Sequence, residues 1–431
     1  MSLKNTTFAS ETNTFTQMRI VINNFGPIKE ADIETKRYTI FIGQTSMGKS
    51  VVAKLISIAQ DADFILLNNG DYEGFLKLLA RYNIDFGFHE DTEIRIIREQ
   101  ASWIVQKNSI EMQGQLDEFW NMIHSLEVEN NDTFLNLFKD VLNGKDKIDI
   151  KSIMPMLNST AEAFAKKENI DLGSVSESQL KMLYLVATRI FINSSSPVYI
   201  PAERILISLF TNSVFSLLQL GASIPESIKR FGSHYEEAKS KMKQIDIDFM
   251  NISVKFSKEK DIIHLENDDV DIDFSQASSG MQSIIPMWSV FCNVLNDYER
   301  TIVVEEPELN LFPTMQVALI SKMAEKINSS QANIVMTSHS PYILSVLDNL
   351  IYAKDVYDRA DIFHKDKIAS IVNPDAMISY DEVSCYSFND NGLVTSINDP
   401  ETRSTGGYTL DAASNETANV FNELLAIENE L

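Results

Sequence analysis

The stretch Gly43-Gln44-Thr45-Ser46-Met47-Gly48-Lys49-Ser50 carries more information than any other in this sequence. It matches GxxxxGK(S/T), with the apolar run YTIFI before it and the helix-spaced VVAKLISIA after it, the context a phosphate-binding loop requires. The glycines let consecutive backbone N–H groups turn inward around phosphate oxygens, a nest that side chains would crowd. The helix that follows adds the partial positive charge of its N-terminus. In such a loop the backbone from Gly43 through Gln44, Thr45, Ser46, Met47 and Gly48 to Val51 surrounds the phosphates. Lys49 contacts the β- and γ-phosphates and the Ser50 hydroxyl ligates Mg²⁺, so ATP and magnesium are the expected ligands.

Such a loop needs an acid on a neighbouring strand, and TIVVEEPELNLFP (301–313) supplies one. Its apolar run reads as a central strand ending in Glu305 and Glu306, and Pro307 stops it there. Glu305 is assigned to the metal and Glu306 to the base that orients and deprotonates the attacking water. In NIVMTSHSP (333–341) another buried strand ends at Thr337-Ser338-His339, which brings His339 beside the other strand tips. A neutral imidazole there hydrogen-bonds the γ-phosphate or the attacking water, although a lone histidine serves structure just as often. In Ala277-Ser278-Ser279-Gly280-Met281-Gln282, Ser278 or Ser279 caps a helix whose free N–H groups bind an anion. The same pattern is also an ordinary N-cap.

Outward from these segments, strands alternate with helices, the signature of an α/β fold with a largely parallel sheet covered on both faces. A chain of 431 residues exceeds what one core supports, which predicts two or three packed units. Residues 1–70 are the N-terminal part of the nucleotide-binding head, with short strands MRIVIN and IKEADIE around the turn Asn24-Phe25-Gly26-Pro27. Residues 71–195 read as a mainly helical insertion with a β-hairpin at TEIRIIREQASWIVQKNSIEM. Residues 196–376 form the remainder of the head. Residues 377–431 form an acidic tail of strands and a terminal helix, ANVFNELLAIE.

Two cysteines, Cys292 and Cys385, form no zinc-spaced pair and fit a reducing, cytoplasmic compartment. The N-terminus lacks the apolar core of a signal peptide, and no apolar run is long enough to span a membrane. Thirty-seven basic against 61 acidic residues leave a net charge of −24. Beyond Ile371 the only basic residue is Arg403, against eleven Asp and Glu. Such a chain repels nucleic acid unless its cations cluster, and its acidic surface either solubilises it or docks a basic protein partner.

Taken together and in this order, the segments resemble the ABC-type ATPases, most of all the branch containing RecF and the overcoming-lysogenisation-defect (OLD) proteins. NNFGPIKEADI precedes the loop, SSGMQS is similar to the signature, EEPELNLFP to Walker B with the D-loop, and TSHSP to the switch-histidine segment. The resemblance covers roughly 18–60, 196–205 and 270–430. It implies a P-loop NTPase of ABC-ATPase type: a mixed, largely parallel sheet with an N-terminal antiparallel part and a helical insertion. VYIPAER stands where the family places its Q-loop, which implies that Arg204 serves the nucleotide site and couples it to the insert. A salt-bridging arginine at a strand end fits those residues as well. The family sandwiches ATP between two copies, which implies that Ser279, Gly280 and Gln282 complete a partner's site in a homodimer. Three features depart from the pattern: the signature lacks its first Leu and second Gly, Glu305 replaces an Asp, and Phe312 replaces a His. The longer carboxylate at Glu305 shifts the expected metal position, which implies slow hydrolysis.

Long coiled-coil arms are missing, and too few residues follow His339 for the TOPRIM nuclease domain of OLD proteins. The leading expectation is therefore a cytosolic ATPase that senses or scaffolds and controls a separate effector protein, as the PARIS and Septu anti-phage ATPases do. One alternative is a RecF-like DNA-repair ATPase, which the net charge disfavours unless Arg95, Arg98 and Lys107 build a basic groove on the hairpin. The other is the ATPase subunit of a membrane transporter, against which the large insert and the unusual signature both stand.

Overall fold

The computed structural model describes residues 18–65, 67, 70–98, 101–114, 117, 195–210, 224–257, 260–295 and 300–406. The helical part expected between 115 and 194 and the terminal helix expected after 406 lie outside these residues. Strands β1 (Arg19–Phe25) and β2 (Ile28–Glu34) pair antiparallel around a tight turn in which Asn24 and Gly26 take positive φ. Strand β3 (Tyr38–Gly43) leads into the phosphate-loop helix Lys49–Gln60.

Of 71–195 the structure describes only the first part, which contains the stretch expected to form the hairpin. After one helix, Tyr72–Arg81, it forms three strands, β4 (Phe88–Ile97), β5 (Ala101–Gln106) and β6 (Ser109–Gly114). These extend the N-terminal hairpin into one antiparallel sheet of order β2-β1-β4-β5-β6. The physical reason is period-two burial: Ile94 and Ile96 lie opposite Ile22 and Ile20 of β1 in register, and Trp103, Val105, Ile110 and Met112 are buried in the same core. Residues 88–114 therefore belong to the head's own sheet.

The central sheet takes β7 (Ser195–Ile200), β12 (Arg300–Glu305), β13 (Asn333–Ser338), β14 (Val383–Phe388) and β15 (Val394–Ser396) in the order β15-β14-β3-β13-β12-β7. All but β15 run parallel. A smaller meander, β8 (Gln244–Ile247), β9 (Ile252–Lys255), β10 (Ile262–Leu265) and β11 (Val270–Asp273), stands apart as its own sheet. Side chains of the central strands alternate between two cores. Phe41, Val303 and Val335 pack with the phosphate-loop helix and the antiparallel sheet. Ile40, Ile302, Val304, Ile334 and Met336 pack against the helices Glu226–Met242, Ser279–Val294, Pro313–Asn328 and Pro341–Arg359.

Register aligns the strand ends. Glu305 lies opposite Thr337, Ser338 opposite Ile42, Gly43 opposite Phe388 and Val304 opposite Ile200. The loops leaving these carboxyl ends gather on one edge, where open parallel sheets bind ligands. Among the described residues no helix is long and apolar enough to cross a membrane.

Gly43 sits at φ 147°, and a Cβ there would lie 2.5 Å from the Phe388 carbonyl oxygen of β14. Gly70, at φ 89°, has nothing within 4 Å. Gly70→Ala should cost only backbone strain, about 1–2 kcal/mol. Gly43→Ala also has to push β14 aside and should cost roughly 3 kcal/mol or more in urea denaturation without nucleotide. Equal costs would contradict the close β3–β14 packing.

Candidate nucleotide-binding site

The loop is shaped by backbone that L side chains rarely adopt. Ser46 lies at φ 67° and Gly48 at φ 94°, and a Cβ on Gly48 would fall 2.4 Å from Ile28 Cδ1. The turn that precedes β2 is thus the floor on which the loop rests. The helix starting at Lys49 carries no acidic residue in its first turn and no side-chain cap, so its N-terminal N–H groups are left for an anion. Gln44, Thr45 and Ser46 are exposed, while Val51 packs its side chain into the N-terminal core and offers the loop only its backbone.

Lys49 is only 4% exposed. Its ammonium donates to the carbonyl oxygens of Gly43 and Gln44, 2.7 Å each, and meets His339 Nδ1 at 3.3 Å. Burial pushes its pKa down to about 8, opposed by the carboxylates of Glu306, Glu308 and Glu305. An ammonium only donates, so His339 Nδ1 accepts and the ring proton belongs on Nε2. Nε2 then donates to Glu306 Oε1 at 2.9 Å. Lys49, His339 and Glu306 thus form one hydrogen-bonded row across the strand tips.

Glu308, which the sequence reading passed over, holds that row in place. Its buried Oε1 accepts from the Ser338 hydroxyl at 2.6 Å and from the His339 backbone N–H at 3.0 Å. The signal was present in the sequence as a third carboxylate in EEPE, two residues beyond the assigned base. Glu306 itself takes φ 43°, a strained conformation secured by its N–H donating to the Thr337 carbonyl at 3.0 Å.

Arg204 is placed differently from both readings of the sequence. It is completely buried, and its guanidinium donates to backbone carbonyls rather than to a carboxylate or an open site. Nη1 reaches the carbonyls of Glu305 (2.7 Å) and Pro201 (3.2 Å), Nη2 that of Glu306 (2.7 Å), and Nε that of Ser283 (3.2 Å). Pro307 O, 3.5 Å from Nη2, takes up the remaining donor. These bonds tie the Glu305–Pro307 turn to the Ser279–Val294 helix and place the guanidinium on backbone carbonyls. Desolvation lowers its pKa to about 10, so it stays charged at neutral pH.

Magnesium fits the residues present. Glu305 is buried at the end of β12; its Oε2 accepts a long 3.4 Å bond from Ala202 N–H, and its Oε1 has no hydrogen bond of ordinary length, although the buried Tyr199 hydroxyl interacts with this carboxylate. A buried carboxylate oxygen left unpaired is costly unless a cation or a water meets it. Among the described residues no group of three or more His, Cys, Asp or Glu could hold a metal without help. Mg²⁺ keeps waters and takes one or two protein oxygens plus substrate phosphates. Ser50 and Glu305 are the residues that would hold it.

The signature residues lie at the start of the Ser279–Val294 helix, with Ser278 as N-cap accepting from Met281 N–H at 3.4 Å. Gln282 donates to the Ser275 carbonyl at 3.3 Å, and its own carbonyl accepts from Ser208. A Cβ on Gly280 would come within 2.9 Å of Asn310 O, so the signature abuts the loop after Walker B. Among the described residues no hydrogen bond joins Ser278, Ser279, Gly280 or Gln282 to residues 43–51. The hairpin cations build no basic groove: Arg98 is buried against Ala59 O (2.9 Å), Arg95 pairs with Glu93 (2.7 Å), and Lys107 pairs with Glu90. Beside the loop opens a cleft of ≈ 790 Å³, lined by Gly43, Gln44, Thr45, His339, Asn389 and Asp390 among others.

The fold is similar to the SMC head domain from Thermotoga maritima, with 10% identity, 89% of this chain and 98% of that one covered, and a TM-score of 0.36. It is similar also to the Smc head domain with an extended coiled coil bound to the C-terminal domain of ScpA from Pyrococcus furiosus, with 11% identity, 88% and 94% covered, and a TM-score of 0.35. Among curated proteins none matches. The sequence model of the AAA ATPase domain matches residues 18–344, well over half the chain, and takes in the phosphate loop, the Walker B acids and His339. The protein therefore belongs to the family of the AAA ATPase domain, with a P-loop NTPase fold.

Proposed function

We propose that this chain binds and hydrolyses ATP, closes into a homodimer around it, and uses that cycle to control a separate effector protein. The observation that carries the reading is the row Lys49–His339–Glu306 at the carboxyl ends of β3, β13 and β12. Its parts match the needs of phosphoryl transfer, which asks mainly for positioning and charge compensation. Lys49 is held by two carbonyls in a desolvated slot, and polyphosphate oxygens are stronger acceptors than those carbonyls. Glu306 accepts from His339 and is aimed at the edge where a water would attack. His339 reports to both. Bound magnesium would supply neutralisation of phosphate charge.

Dimerisation is supported by the exposed surface. Ser279 is exposed next to the 306–312 loop, whose Phe312 is 71% exposed. An exposed Ser279 at the start of a helix capped by Ser278, beside an exposed aromatic, suits the triphosphate edge of a second copy. Control of an effector, in the manner of the PARIS and Septu anti-phage ATPases, is supported by the order and spelling of the motifs and by the acidic surface. The DNA-repair alternative draws no support from the hairpin cations, of which Arg98 is buried and Arg95 and Lys107 pair with Glu93 and Glu90.

Glu306→Gln should lower the ATP turnover number about 10²–10⁴-fold while leaving Mg–ATP affinity within a few-fold. Lys49→Ala should weaken that affinity by at least about ten-fold. Unchanged turnover in Glu306→Gln would exclude it as the base. In the same background, Mg–ATP should convert monomer to dimer in sedimentation velocity, and adding Ser279→Arg should abolish the dimer without abolishing nucleotide binding. A dimer that survives Ser279→Arg would place the interface elsewhere.

The Lys49 shift has its own signature. With a folded pKa of about 8 below the ordinary 10.5, the apo protein binds fewer protons than the unfolded chain between those values, and its stability there rises with pH. Triphosphate favours the ammonium, so Mg–ATP binding near about pH 8.5 should take up part of a proton, and near about pH 6.5 none. Calorimetry in buffers of unlike ionisation enthalpy measures this. Uptake that is equal at both pH values would remove Lys49 as the linked group.

A further inference from the structure

We propose that Asp390, on the loop after β14, reads the nucleoside of the bound nucleotide through a neutral donor, either a ribose hydroxyl or an exocyclic amino group of the base. The inference rests on the nucleotide reading above and assigns the part of the ligand which that reading leaves unaddressed. Sheet order supplies the direction. Strand β14 flanks β3 on one side, while β13 and β12, which carry His339 and Glu305, flank it on the other. Gly43 of the phosphate loop lies in register with Phe388, so the next residues, Asn389 and Asp390, stand over the start of the loop on the side away from the catalytic acids. The cleft of ≈ 790 Å³ runs between His339 and Asp390. A triphosphate anchored at Lys49 and His339 leaves its nucleoside to occupy the Asp390 end.

The loop is built without using that carboxylate. Asn389 Oδ1 accepts from the N–H groups of Asn391 (3.1 Å) and Leu393 (3.0 Å). Gly392, at φ 77°, presses on Pro27, and its carbonyl accepts from Lys29 N–H at 2.8 Å. Asp390 is exposed at the rim and makes no hydrogen bond or ion pair among the described residues. A carboxylate beside an anion-binding loop opposes the phosphates by Coulomb repulsion. It gains binding only by accepting from uncharged donors, and a nucleoside offers them where a bare polyphosphate does not.

The test is calorimetric titration of the full chain and its Asp390→Asn and Asp390→Ala variants with Mg–ATP and with Mg–tripolyphosphate. Asp390→Ala should lose about ten-fold in ATP affinity while binding tripolyphosphate as well as before or slightly tighter, and Asp390→Asn, which keeps an acceptor oxygen without the charge, should lose less than Asp390→Ala. 2′-Deoxy-ATP and inosine triphosphate separate the two donors: the analogue lacking the one that is used should lose the same factor with the wild type and nothing further with Asp390→Ala. Equal tightening of ATP and tripolyphosphate would mark Asp390 as a repulsive rim charge only and overturn the proposal. So would equal weakening of both, or no change in either. A wild type that binds tripolyphosphate and ATP equally well overturns it and leaves the phosphate site standing. Binding of neither ligand by the wild type overturns this proposal and the nucleotide reading together.

Discussion

An ammonium group held out of water is the constraint on which the strand-tip edge depends. Lys49 cannot stay charged in its slot without acceptors, and the fold provides them at fixed places: two carbonyls of its own loop and an imidazole from the next strand. Glu306 and Glu308 oppose the desolvation from further off. Each of these groups is where it is because parallel register ends β3, β13 and β12 together. A slip of one strand would separate the imidazole from the ammonium and flip the alternating core residues to the wrong face. The same slot that makes the charge costly makes it a strong partner for a triphosphate, since low polarity strengthens whatever attraction is formed there.

A second buried cation keeps the acids aimed. Arg204 joins three consecutive carbonyls of the Glu305–Pro307 turn to Ser283 in the helix that begins at the signature. Glu306 pays for its positive φ with these contacts and with the bond to Thr337. Movement of the Ser279–Val294 helix would therefore be felt in the backbone of Glu306 through Arg204. Glu308 does the corresponding work for His339 by holding its backbone N–H and the neighbouring Ser338 hydroxyl.

Much of this edge was legible in the sequence because its features are local. A glycine-bounded loop between a strand and a helix, two acids before a proline at a strand end, and a histidine at the next strand end all declare themselves within a few residues. The strands of the central sheet were legible too, since each is a short, unbroken apolar run. Long-range pairing was not. Residues 92–112 look like a hairpin on an insert, but only their register with Ile20 and Ile22 makes them part of the head. Arg98 and Arg204 read as surface or coupling cations because sequence gives no measure of burial, and each is instead spent on carbonyls brought from elsewhere in the chain. Asp390 has no motif at all. Its position depends on β14 lying beside β3, a parallel pairing across more than three hundred residues.

The most direct measurement is a crystal structure of the chain grown with magnesium and a non-hydrolysable ATP analogue. The expected result is phosphate density inside the 43–50 loop, with Lys49 turned from the carbonyls of Gly43 and Gln44 onto the phosphates and the metal between Ser50 and Glu305. Nucleotide bound away from that loop, or the loop empty at saturating analogue with Lys49 still on its own carbonyls, would contradict the account.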